Sequence, residues 1–233
     1  MSESDDSKKV SNNDLRNSQI SGSIINSDTL HANQIGNNTF NININDSFQL
    51  QQIFQEFLVA KIEKSVTLPE KDKKDVIGYF NQNKNSEING KDDLLSIVEK
   101  IGNSETIYSH YLIAKYLETN KARCNLTMFA IASTLRNIDI NKFYKKDENV
   151  YKAVKVFCDL LFVCLEWLYN SVKSFSALRI KDKDKKRLSS CPYELMEYAF
   201  GVLKKEAEGW TENAEVAKEV EIYLNLLLRQ IYD

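Results

Sequence analysis

Few residues in this chain are of the types that do chemistry, and their spacing does little to bring them together. The 233 residues include two histidines, His31 and His110, and four cysteines, Cys124, Cys158, Cys164 and Cys191. A structural zinc site draws on closely spaced Cys or His pairs, and no CxxC pair occurs, so no metal site is expected. Cys158 and Cys164 are six apart in one apolar helical pattern, point to different faces and do not bridge. Buried free thiols in a reducing cytosol are the expectation. His110 lies in IYSHYLIAKYLE, with no Ser or Cys nucleophile in a recognisable motif beside it, and reads as a packing or hydrogen-bonded histidine. Asp159 and Glu166, seven apart, share a helix face and could pair for metal binding or acid–base work. Without an ExxH pattern on any helix, salt bridges to lysines or a polar seam are expected instead. P-loop, GxGxxG, HExxH and GxSxG sequences are absent, which removes support for nucleotide hydrolysis, dinucleotide binding, zinc proteolysis and common serine hydrolysis. The reading is non-enzymatic, with no catalytic residue, cofactor or metal.

One charged run remains as a candidate contact. Lys181, Lys183, Lys185, Lys186 and Arg187 stand against Asp182 and Asp184. A solvated loop is the default for mixed-sign runs, and contact with phosphate groups, on a membrane surface or a nucleic acid, is the sharper alternative. With a formal charge of −2 for the whole chain, a nucleic-acid partner is not expected.

The elements that must position these residues are helical. Seven Gly and two Pro in the whole chain argue against folds with many tight corners and favour long helices joined by polar loops. Residues 1–9 are charged and polar, without aromatics, and read as disordered; they also lack the basic start and apolar run of a secretory signal. From residue 46 to 233 the pattern predicts an α-helical bundle of seven or eight helices. Asp46 or Ser47 caps the first, Pro69 opens the second, and a short helix surrounds Leu94–Ile101. Ser104, Asn125, Ser190 and Thr211 are expected to begin later helices. The longest runs from about Glu148 to Ile180. Its segment Val154–Val172 is too interrupted by Lys155, Asp159 and Glu166 to cross a bilayer, and reads as a buried central helix.

The most regular feature lies ahead of the bundle, in residues 10–45. Val10, Leu15, Ile20, Ile25, Leu30, Ile35 and Phe40 recur every fifth residue, in a stretch otherwise built of Asn, Ser, Gln, Asp and Gly. Between residues 8 and 42 there are nine large apolar residues, and seven of them share this one register. A period of five fits neither a helix nor a simple strand. It fits a coil that turns a corner every five residues, with the short residues Asn13, Ser18, Ser23, Asp28, Asn33 and Asn38 two places before each apolar one.

On these positions the segment resembles the pentapeptide-repeat family, which implies a right-handed square β-solenoid. That family prefers Ala or another small apolar residue where this chain has Asn13, Asp28, Asn33 and Asn38. The blocks Gln19–Ser23 and Gln34–Asn38, followed by Thr39–Ile44, are also similar to the fungal HET-s type of prion-forming segment and related amyloid signalling motifs. This second resemblance implies a segment that relays assembly next to a helical effector. Seven pentads are fewer than two square coils, too little to offset chain entropy alone. Stacking copies would complete the ladder and align Asn columns.

The reading is therefore a mainly α, cytoplasmic interaction or signalling protein that forms homo-oligomers. Its short amino-terminal segment, β-solenoid-like or else disordered, drives assembly through Leu15, Ile20, Ile25, Leu30, Ile35 and Phe40, with Gly22 and Gly36 at turns. The helical domain presents an effector or a surface for a protein partner. The alternatives are a monomeric or dimeric adaptor subunit of a defence or signalling complex, whose repeat folds on a partner, and a membrane-active helical effector triggered by clustering.

Overall fold

A computed structural model describes the backbone of residues 23–26, 29–35, 38–43 and 47–49, together with residues 50–83, 88, 94, 96–98, 101, 103–143 and 150–233. It is mainly helical. Contacts divide the chain into two compact units, Met1–Glu99 and Lys100–Asp233, a division that the helical pattern of 46–233 does not mark.

In the first unit, strands β1 (Ser23–Asn26), β2 (Thr29–Ile35) and β3 (Asn38–Asn43) form an antiparallel sheet in the order β1-β2-β3. Ile25 is opposite Leu30, and Ala32 opposite Phe40, with an irregularity between Ala32 and Ile35. The same unit contains helices α1 (Ser47–Glu63) and α2 (Glu70–Gln82), which pack on each other. Ile53, Phe54, Phe57, Leu58 and Ile62 are buried at three- and four-residue steps, the spacing of one helix face. Val76, Tyr79 and Phe80 are the buried residues of α2, and Gln55 Nε2 donates to Phe80 O at 3.1 Å. Pro69 stands at the N-cap of α2 with φ −59°, just ahead of the first turn, where its missing N–H costs no helical bond.

In the second unit, α3 (Ser104–Leu117), α4 (Asn120–Asn137), α5 (Val150–Lys173), α6 (Asp182–Leu188), α7 (Tyr193–Ala207) and α8 (Ala214–Tyr232) form the bundle, with a 3₁₀ turn at Ile140–Lys142. The longest helix is central as expected. α5 packs against α3, α4 and α8 and buries Phe157, Leu160, Leu161, Cys164, Leu165, Leu168 and Val172, while Lys155 and Asp159 stay exposed. Each such large apolar side chain contributes roughly 1.5–3 kcal/mol on burial.

Several helix ends differ from the sequence expectation. The acceptor that caps α3 is Asn103, which takes the Thr106 N–H at 2.9 Å, and Ser104 is the first helical residue. α4 begins five residues before Asn125, because Thr119 Oγ1 accepts the Ala122 N–H at 3.1 Å. α7 starts behind Pro192 without a side-chain cap, and Ser190 Oγ instead donates back to Arg187 O. Asn213 rather than Thr211 caps α8, by accepting from Glu215 N. The charged run 181–187, expected as a loop, is mostly the helix α6, with acids in its first turn and bases in its last, the arrangement that complements a helix dipole.

α5 stops at Lys173, short of Ile180, through a left-handed residue. Phe175 has φ 52°, its N–H reaches Val172 O at 3.2 Å and the Ser176 N–H reaches Ser171 O at 3.1 Å. This is a Schellman ending with Phe in the place usually held by Gly, at a cost of about 1–2 kcal/mol. Its side chain is buried and stacks on the ring of His110.

Candidate functional site

His110 is the one candidate catalytic type that the described residues surround with a defined constellation. It lies on α3 with its side chain about 4% exposed. Its Nδ1 is 3.1 Å from Val172 O at the end of α5, and its Nε2 is 3.0 Å from Glu219 Oε2 on α8. A carbonyl only accepts, so Nδ1 carries a hydrogen. Phe175 stacks on the ring at 4.7 Å and Tyr223 meets it edge-on at 5.5 Å. Burial, with the Glu219 carboxylate second, pushes the Tyr223 phenol well above its ordinary range.

A general base needs a ring nitrogen directed at a substrate proton. Both nitrogens of His110 are engaged with the protein's own acceptors, and two aromatic rings pack against it. The arrangement ties α3 to the end of α5 and to α8, as the packing reading of His110 anticipates. The apolar buried residues of α3, Ile107, Ile113, Ala114 and Leu117, lie on one face with His110, so the histidine comes with the core stripe.

A second buried polar knot was not legible in the sequence. Arg123 on α4 is buried. Its guanidinium donates to the carbonyls of Leu117 and Glu118, the open C-terminal end of α3, and to Asn120 Oδ1. The guanidinium carbon also sits 5.1 Å from the ring centre of Tyr169 and 5.8 Å from that of Phe162, both on α5. Its Nε has no hydrogen-bond partner among the described residues. One cation thus satisfies the carbonyls of one helix from a second and lies over the aromatic rings of a third, where cation–π attraction offsets part of its desolvation. The only sequence signal was an Arg three residues past Asn120 at a helix start.

The cysteines differ in accessibility. Cys124 is exposed, against the expectation of a buried thiol, because α4 turns that position outward; Cys158 is half-buried; Cys164 and Cys191 are buried, and all four are free. Burial pushes the Cys191 thiol up to about 12 and the Cys164 thiol higher still, so neither is a thiolate near neutral pH. Tyr232 Oη donates to Cys191 O at 2.8 Å. Asp159 is exposed and Glu166 half-buried. Among the described residues no group of three His, Cys, Asp or Glu is placed to hold a metal ion, and no helix is long and apolar enough to cross a membrane.

Of the proposed assembly residues, Leu15, Ile20, Gly22 and Gly36 lie outside the described residues, as do the side chains of Ile25, Leu30, Ile35 and Phe40. Lys181, Lys183, Lys186 and Arg187 are exposed, and Lys185 is half-buried. Met128 and Phe129, adjacent on α4, are 62% and 46% exposed, and Tyr151 on α5 is 78% exposed. No protein-family model matches this chain, and no curated protein or solved structure does either.

Proposed function

We propose that this chain is an interaction protein that assembles through residues 10–45 and carries a helical unit into the assembly. The observation behind this reading is the five-residue register from Val10 to Phe40. One large apolar residue in five is too little for a self-contained core, and it is enough for a surface that closes against copies of itself. The backbone of β1, β2 and β3 supports the same reading, since three strands of four to seven residues make a small sheet whose outer edges, on β1 and β3, have no further strand beside them among the described residues. Such edges pair readily with other chains. Within one chain this backbone runs antiparallel; the solenoid, which stacks rungs in parallel, is the arrangement proposed for the assembly.

Light scattering and negative-stain electron microscopy of the full chain test the proposal, beside a version with Ile25→Asp and Ile35→Asp. Large particles from the full chain that disperse in the double variant, with helical circular dichroism retained, are expected. Unchanged particles in the variant would rule out the register as the driver, and small particles in both would favour a monomeric or dimeric helical adaptor.

A further inference from the structure

The charged run that reads as a mixed-sign loop becomes one-sided once it is helical. Successive residues of α6 turn by about 100°. Lys183, Lys186 and Arg187 therefore fall within about 100° of arc, all exposed, with Asp182 at one border and Asp184 at the other. Leu188 is buried on the far side, and Lys185 points away from the basic face and is half-buried. The net charge of the run understates the face, because folding moves both acids to its margins. Lys181 and Arg179, both exposed, precede it.

The face is firmly mounted. α6 packs on α8, and the Ile180 N–H donates to Gln230 Oε1 of α8 at 3.0 Å. A tight turn follows, with Ser190 N to Arg187 O at 3.3 Å and Cys191 N to Leu188 O at 3.1 Å. None of the basic side chains from 179 to 187 forms an ion pair among the described residues.

We propose that the outer face of α6, formed by Lys183, Lys186 and Arg187 with Lys181 beside it, docks on an anionic lipid surface. Charge complementarity selects an anionic partner, and geometry selects among anions. A helix of seven residues is only about 10 Å long, and its two carboxylates, Asp182 and Asp184, border the basic face on either side. A polynucleotide needs a continuous basic track for successive phosphates, whereas a headgroup layer accepts an isolated basic spot from each copy. One such spot binds weakly; an array of copies multiplies it. Only that multiplication rests on the assembly proposed above.

The test is co-sedimentation of the full chain with phosphatidylcholine vesicles, with and without phosphatidylserine. Binding that requires phosphatidylserine and weakens with salt is expected. Lys183→Ala, Lys186→Ala and Arg187→Ala together should lower the partition coefficient roughly a hundredfold, since each basic residue near an anionic surface contributes about fivefold. Lys185→Ala should change it less than about threefold. Circular dichroism checks that the variants, all at the surface of α6, stay folded. Equal binding to both vesicles, a triple variant that binds as well as the parent, or tighter binding to a single-stranded oligonucleotide would each overturn the proposal. In the Ile25→Asp, Ile35→Asp chain, a weaker but still phosphatidylserine-dependent interaction supports the contact and the avidity together. Unweakened, phosphatidylserine-dependent binding there supports the contact and counts against the assembly alone.

Discussion

Residues 10–45 and residues 100–233 solve the problem of apolar surface in opposite ways. The second region is dense in large apolar residues at helical spacing, closes its helix ends with Asn103, Thr119, Asn213 and Arg123, and binds its one histidine on both ring nitrogens. The first region has one large apolar residue in five and a surplus of side-chain amides. A helical bundle supplies its own partners for every face, so its stability is internal. On the reading proposed above, an Asn-rich ladder has amides and strand edges to offer and little interior, and would draw its stability from copies beside it. On this account assembly and folding separate along the chain and can be broken independently.

The sharpest way to break the comparison is to remove residues 1–45. The truncated chain is expected to lose all particles larger than a small oligomer, while the thermal transition of the helical unit moves by no more than a few degrees. A large fall in Tm, read by circular dichroism, would mean that the two regions share their stability.

The next largest effect belongs to His110. His110→Ala removes the ring from between Phe175 and Tyr223 and leaves the Glu219 carboxylate unpaired. It is expected to cost about 3 kcal/mol, a fall in Tm of roughly 10 °C. Glu219→Gln keeps a hydrogen-bond partner for Nε2 and should cost clearly less. If both variants assemble as the parent does, the internal and external modes of stability are separate.

Arg123→Met comes third. It keeps the side-chain stem and loses the bonds to the α3 carbonyls and the cation over Tyr169, for an expected loss of about 2 kcal/mol by chemical denaturation. Thr119→Ala is the smallest, about 1 kcal/mol, the usual value of an N-cap. If the Arg123 variant cost no more than the Thr119 one, the buried guanidinium would be a tolerated passenger and not a tie.

The helices were legible because their signal is local. Ile53, Phe54, Phe57, Leu58 and Ile62, or Phe157, Leu160, Leu161, Cys164 and Leu165, bury one face at three- and four-residue steps, and neighbours a few residues apart already reveal that face. Their ends were less legible. Several polar residues near a boundary could each accept the first N–H, and the choice of Asn103 over Ser104, or Thr119 over Asn125, turns on backbone geometry at one residue. Arg123 was invisible for a different reason. Its value depends on carbonyls left over at the end of another helix and on aromatic faces some 40 residues further on, and no spacing rule connects these.

By itself the sequence determined the mainly helical class of the described residues after 46, the buried place of α5, the apolar helical setting of His110 and the odd register of residues 10–40, because composition and period act through near neighbours. Only the tertiary structure decided which atoms His110 and Arg123 meet, that Phe175 takes a left-handed conformation against the His110 ring, and that Lys183, Lys186 and Arg187 face outward together while Leu188 is buried. Those outcomes depend on elements far apart in the chain arriving at one place, where burial, strain and unpaired polar groups are balanced together.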